Sequence, residues 1–335
     1  MKAIKIKQPA GLENLLLTEM DAPSPPGPGE ILVRLHASSL NYHDYAVAIG
    51  AIATAEGRIP MADGAGVVQA VGAGVGEFKP GDHVVSCFFP HWLDGAPRIG
   101  DFSTTPGDGV DGYAREYVTV PAQFFTHAPR GWTHAEAATL TTAGLTAWRA
   151  LVVEGRIKPG ETVLVLGSGG VSVFALQIAR AAGANVIATS SSDEKLERLR
   201  ALGAEYGINY RTTPEWGRAV LDYTGGRGVD HVVEVGGPGT LAQSITAVRI
   251  GGHISLIGVL TGWGGEVPTA ALMLKQARLQ GIVVGNRRQQ VEMVAGMEAS
   301  GIRPVIDSLF ALEDIANAFQ HEKSGRHFGK ICLEF

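Results

Sequence analysis

The rhythm of apolar and polar positions changes along the chain. Over roughly the first 120 residues, short extended runs (MKAIKI, ILVRLHASSL, GAGVVQAV, GDHVVSC and GYAREYVTV) are broken by glycine and proline, which predicts a β-rich domain. Residues 21–30, DAPSPPGPGE, carry four prolines. Each removes a donor and fixes a backbone angle, so this segment reads as a loop. Residues 90–112 form a second irregular stretch rich in Gly, Asp and Pro. Long loops of that kind tend to lie over a site or an interface.

From about residue 133 helical and buried-strand patterns alternate. Six apolar runs follow: TVLVLG from Thr162, NVIAT from Asn185, YGINY from Tyr206, VDHVVEV from Val229, GHISLIGV from Gly252 and LQGIVVG from Leu279. Helix-like stretches lie between several of them, such as DEKLERLRALGA, with Asp193 near its start and Gly203 as its stop. Strands alternating with helices predict an α/β fold with a doubly wound parallel sheet. The tail contains a helix-like LEDIANAFQ and a last strand, KICLEF, expected to return to the first domain.

The strongest local signal is TVLVLGSGGVSVFALQIARAAGANVIAT, where a strand runs into Gly167, Ser168, Gly169, Gly170 and Val171 and a helix follows at once. Glycine is needed where the chain turns sharply and where a pyrophosphate approaches main-chain N–H groups at a helix N-terminus. Ser172 replaces the third glycine of that fingerprint and is small enough for close packing. The second strand ends in Thr189, Ser190, Ser191 and Ser192, where an NAD-preferring fold would place an acid on the ribose hydroxyls. Serine hydroxyls can donate to a 2′-phosphate and Lys195 supplies a counter-charge, so NADPH is expected over NADH. Tyr210, the last residue of the third apolar run, is counted with this pocket. Asp193 and Glu194 are assigned to first-turn helix stabilisation.

Composition narrows the partners. A formal net charge of -5 gives no electrostatic reason to seek nucleic acid or anionic lipid. No signal peptide and no apolar run of membrane-spanning length is visible, and a cytoplasmic location is expected. Cys87 and Cys332 lie far apart without a CxxC partner, which argues against a disulfide framework and a cysteine-built structural zinc site.

The chain resembles the medium-chain dehydrogenase/reductase superfamily, in particular its zinc-independent branch related to quinone oxidoreductases. The resemblance rests on GEILVRLHASSLNYHD, PMADGAGVV, KPGDHV, AATLTTAGLTAWRAL, the glycine turn and the closing FGKICLEF. It implies a GroES-like β-rich substrate domain over residues 1–122, a Rossmann domain over 123–286, and a return of 287–335 to the first domain. It also implies a cleft where the nicotinamide meets substrate.

In zinc-using members the three catalytic ligands would fall on Asn41, Ala62 and Thr142, none a normal zinc ligand. No metal is therefore expected. A rearranged site built from His43, Asp44 and Asp63 is the alternative. Without zinc, hydrogen-bond donors must steady the charge that develops as hydride arrives. The resemblance places Asn41, Tyr42 and His43 in the catalytic loop. Asn41 is expected to orient substrate or the nicotinamide amide, His43 to take the place of the family's hydroxyl proton relay, and Tyr42 to serve as a second donor. Asp44 and Asp63 are expected to hold this loop in register or to form turns and caps. Cofactor contacts are expected from Thr142 and Thr146, from Gly236, Ile257, Gly258 and Val259 after strands four and five, and from Lys330 on the pyrophosphate.

The expected activity is an NADPH-dependent reductase of quinones, enones or aldehydes. The alternatives are a metal-free alcohol dehydrogenase and a non-catalytic dinucleotide sensor. A small-molecule substrate and a homodimer complete the expectation.

Overall fold

The computed structural model describes residues 1–335, which form two units, Met1–Leu145 with Gly285–Phe335, and Thr146–Val284.

In the first unit, β1 (Lys2–Ile6) pairs antiparallel with β2 (Leu15–Glu19). The main sheet contains β3 (Glu30–Ser39), β4 (Ala65–Val71), β5 (His83–Ser86), β6 (Tyr117–Pro121), β7 (Phe125–His127), β14 (Ile306–Ala311) and β15 (Lys330–Glu334). Its order is β14-β15-β3-β4-β5-β7, with β6 also on β3. Strand β3 alternates buried and more open positions along its first six residues, so Ile31, Val33 and Leu35 enter a core with Val68, Val84, Tyr113 and Phe125. Three helices belong here: α1 (Tyr42–Ala48), α2 (His134–Ala138) and α9 (Arg287–Ser300), joined by α10 (Ile315–Lys323) near the C-terminus. Ile315, Ala318 and Phe319 of α10 pack with Ile4, Leu40, Met61 and Leu333, so the tail does return to the first domain.

The boundary expected at residue 122 lies too early. Strand β7 pairs with β5, and α2 packs Ala135, Ala137 and Ala138 against Ala37, Ala65 and Cys332. Residues 123–145 thus complete the β-rich unit, and a three-residue strand is too short to show a period in the sequence.

The second unit is a six-stranded, wholly parallel sheet in the order β10-β9-β8-β11-β12-β13. Its strands are β8 (Thr162–Leu166), β9 (Asn185–Ser190), β10 (Tyr206–Asn209), β11 (Val229–Glu234), β12 (Val248–Leu256) and β13 (Arg278–Gly281). All six expected apolar runs are strands. They read as continuous apolar runs because parallel strands are covered on both faces. The unit's helices are α4 (Gly170–Ala181), α5 (Asp193–Ala201), α6 (Trp216–Tyr223), α7 (Pro238–Ala247) and α8 (Thr269–Lys275). Leu164, Ile187, Trp216, Val232, Ile245 and Ile254 make its core. The chain passes between the units within a helical run whose middle is α3 (Leu145–Trp148). No helix is long and apolar enough to cross a membrane.

Candidate active site

Residues 41–44 are not an open loop. Asn41 is the extended N-cap of α1, and Asp44, three residues on, returns its carboxylate to the Asn41 backbone N–H at 3.1 Å. The Asn41 amide is held on every side: Nδ2 donates to the Ser39 carbonyl at 3.2 Å and to Asp44 Oδ2 at 3.0 Å, while Oδ1 accepts from Lys330 Nζ at 2.6 Å. An amide nitrogen carries two protons, and both are engaged here. Asn41 therefore fixes the start of α1, and its N–H donors do not point outward as expected. The second Asp44 oxygen accepts from the Ala62 N–H at 2.9 Å. Burial pushes the Asp44 carboxyl above its usual range.

Asp63 is fully buried, and its Oδ1 accepts from the Thr142 hydroxyl at 2.6 Å. Its other oxygen has no protein partner. Burial drives this carboxyl up to about 7; nearby Lys330 opposes the rise and Asp44 adds to it. Thr142, expected against the cofactor, is thus tied to Asp63. Lys330 departs further from expectation. It is 5% exposed, and Nζ donates to the Leu40 carbonyl and to Asn41, so it serves the start of α1 rather than a pyrophosphate. Glu322 on α10 was not foreseen. Its carboxyl is pushed up to about 7 chiefly by burial, with Lys330 opposing.

The donor set does not fit zinc. Of the three relevant positions Ala62 has no side-chain donor, and the Asn41 and Thr142 side chains are neutral and already bonded. In the alternative trio of His43, Asp44 and Asp63, His43 Nε2 faces Asp108 and both Asp44 oxygens are bonded to Asn41 and Ala62.

His43 and Tyr42 differ sharply in setting. Tyr42 is 41% exposed. The His43 ring lies 4.9 Å from Phe102 and 5.7 Å from Phe88, centroid to centroid, and its Nε2 is 3.1 Å from Asp108 Oδ2. Asp108 is the residue the sequence reading missed. It lies in the irregular stretch 90–112 already marked as a site loop, but nothing local distinguishes it from Asp94, Asp101 or Asp111.

In the second unit the glycine turn has the form expected. Gly167 sits at φ 76, a left-handed angle that suits glycine. The chain then enters α4 with Gly169 as N-cap, Gly170 and Val171 as its first residues, and no side chain capping the helix. The first N–H groups of a helix lack intrahelical partners and carry partial positive charge. A dinucleotide pyrophosphate fits here. Ser168 and Ser190 are buried, Ser191 and Lys195 half-buried, and Tyr210 is exposed, with its N–H on the Ser190 carbonyl at 3.0 Å. Ser192, read only as a strand-end hydroxyl, caps α5 by accepting from the Lys195 N–H.

At the end of β11, Glu234 accepts from the Gly236 N–H at 2.8 Å and the Gly237 N–H at 3.0 Å. Gly236 is buried in this turn, whereas Ile257, Gly258 and Val259 are half-exposed beside it. The Ile257 and Gly258 N–H groups donate to the Glu234 carbonyl. Thr146 is 2% exposed at the start of the unit.

Comparison with known proteins agrees with this architecture. Residues 27–130 match the alcohol dehydrogenase GroES-like domain, and residues 170–299 match the zinc-binding dehydrogenase family. A zinc-type alcohol dehydrogenase-like protein of Schizosaccharomyces pombe is 43% identical over 97% of this chain and 96% of its own length. A solved NAD-dependent alcohol dehydrogenase superposes with a TM-score of 0.90 at 33% identity, covering 100% of both chains. The quinone oxidoreductase of Pseudomonas syringae pv. Tomato DC3000 superposes with a TM-score of 0.84 at 29% identity, covering 100% of this chain and 99% of its own. With a glycine turn on a six-stranded parallel sheet and a GroES-like unit beside it in the sequence, the chain belongs to the medium-chain dehydrogenase/reductase superfamily and is an NAD(P)-dependent oxidoreductase of the alcohol dehydrogenase-like type.

Proposed function

We propose that this protein is an NADPH-dependent, zinc-independent reductase of quinone, enone or aldehyde substrates. The observation that carries the reading is the state of the three positions where zinc-using relatives would place ligands. Asn41 and Thr142 are bonded into the protein's own network, and Ala62 brings no ligating side chain, with its N–H given to Asp44 and its carbonyl accepting from the Ser86 hydroxyl. NADPH supplies the hydride when bound. His43 and Tyr42 are the donors left to steady or protonate the substrate oxygen, with Asn41, Asp44, Asp63 and Lys330 fixing the segment that carries them. Aromatic rings around His43 suit a flat conjugated carbonyl. The preference for NADPH rests on Ser190, Ser191 and Lys195 standing where an acid would select NADH.

A metal-free alcohol dehydrogenase is the second reading, favoured by the similarity to an NAD-dependent alcohol dehydrogenase. We place the reaction in the cytoplasm, since both thiols are buried and unpaired. A homodimer formed at the edge of the second unit's sheet is part of the proposal. In that unit β13 is an edge strand, and Ile250, Trp263, Met273 and Leu274 are exposed.

Purified protein freed of metal by chelation, assayed with NADPH and NADH against 1,4-benzoquinone, 3-penten-2-one, benzaldehyde and ethanol, tests the assignment. Expected are undiminished enone or quinone reduction, at least about tenfold tighter binding of NADPH than NADH, and no ethanol oxidation. Turnover abolished by chelation and restored by zinc overturns it.

A further inference from the structure

We infer that Asp108 positions His43 as the proton donor of the reaction, the two forming a dyad that does the work of a hydroxyl relay. The inference rests on the reductase reading and deepens it. The first observation is the bond itself: His43 Nε2 stands 3.1 Å from Asp108 Oδ2, with 16% and 10% of the two side chains exposed. An imidazole held through one nitrogen by a carboxylate has a fixed ring orientation and presents the other nitrogen.

The second observation concerns that other nitrogen. Nδ1 of His43 is buried and has no hydrogen-bond partner in the protein. Buried polar atoms are nearly always satisfied, so this unpartnered nitrogen on an oriented ring is the one that a ligand atom would satisfy.

The third is how rigidly Asp108 is delivered. Residues 105–108 are buried, although they belong to an irregular stretch. The Asp108 N–H donates to the Thr105 carbonyl, and the Asp108 carbonyl accepts from the Thr54 hydroxyl at 3.0 Å. Arg58 holds the next turn through the Gly109 carbonyl at 3.0 Å and Asp111 Oδ1 at 2.9 Å. Gly107 lies at φ 87, where a Cβ would come within 2.7 Å of the Met61 N, so the loop is seated backbone against backbone. The only hydrogen bond this structure gives the Asp108 side chain is the one to His43. A carboxylate brought to a buried position by this much construction, for one imidazole, is a positioning group.

The substrate carbonyl carbon accepts the hydride supplied by NADPH, its π pair moves onto oxygen, and that oxygen takes the proton from Nδ1–H of protonated His43. The carbonyl is reduced to an alcohol, the cofactor is oxidised, and the neutral imidazole, still on Asp108, regains its proton from solvent.

The test uses the full-length protein with NADPH and benzaldehyde, the carbonyl to which this step applies. His43→Ala should lower kcat about 100-fold, and added imidazole should recover at least about tenfold of that. Asp108→Asn should lower kcat by about 10- to 100-fold with NADPH binding unchanged, and His43→Ala/Asp108→Asn should lose the imidazole rescue. In parallel, 15N NMR of the His43 ring should show Nε2 protonated in the parent protein and an altered tautomer population in Asp108→Asn. If the parent protein turns over but Asp108→Asn retains full kcat or the double variant is rescued equally well, the dyad is wrong while the reductase reading survives. A parent protein inactive on every carbonyl overturns the reading and the donor role together, and an unchanged tautomer in Asp108→Asn overturns the positioning role even then.

Discussion

The glycine turn of the second unit and the Asn41 cluster of the first are both polar, yet their donors are arranged in opposite ways. At the turn, α4 begins with backbone N–H groups that no side chain caps, and the space around Gly169 is open. In the cluster, Asn41, Asp44, Thr142 and Lys330 all bond to neighbours within the unit. The contrast separates two tasks. An open set of donors at a helix start is a binding surface for an anion, whereas a closed network spends its donors on fixing geometry.

Removing charge from the closed network should have the largest effect. Lys330→Met keeps similar bulk but leaves Asp44 and Asp63 buried without their nearby cation, and a loss of about 3–5 kcal/mol in unfolding free energy is expected in urea titrations. A loss below about 1 kcal/mol would mean that Lys330 does not hold the buried network together.

Filling the open turn should do the reverse, sparing stability and harming binding. A Cβ on Gly169 meets nothing within 4 Å. Gly169→Ala should therefore cost only about 0.5–1 kcal/mol at the N-cap but weaken NADPH binding at least about tenfold, read by fluorescence titration. Unchanged affinity would move the pyrophosphate elsewhere.

The smallest effect lies in pH. The folded-state value of about 7 for Asp63 exceeds the ordinary one, so the native state holds more proton than the unfolded chain between roughly pH 4 and 7. Its contribution to stability is present below that window and is lost as pH rises through it. Asp63→Asn should thus be more stable relative to the parent at pH 8 than at pH 5, measured as urea midpoints at both values. An equal difference at both pH values would show that Asp63 ionises normally.

Much of the second unit could be read along the chain. Strand, turn, helix and second strand occupy 162–190 without interruption, and each apolar run announced a buried strand. The first unit was legible as β-rich, but not in its limits, because β7 and α2 are too short to carry a period. Its site was partly legible: resemblance brought forward Asn41, His43, Asp44 and Asp63. It did not reveal that Asn41 faces inward or that Lys330 joins it from 289 residues away. Asp108 was invisible for the same reason, since its partner is 65 positions off and its neighbours include other aspartates in the same loop.

Sequence alone determined the α/β class and the glycine turn, because each depends on residue type at a local spacing, and the family resemblance added the absence of zinc-type side chains at residues 41, 62 and 142. Tertiary structure decided which carboxylates are buried, which donors are already bonded and which loop residue meets His43. Those outcomes depend on distance and desolvation between segments remote in the chain, and no local pattern of residues encodes either quantity.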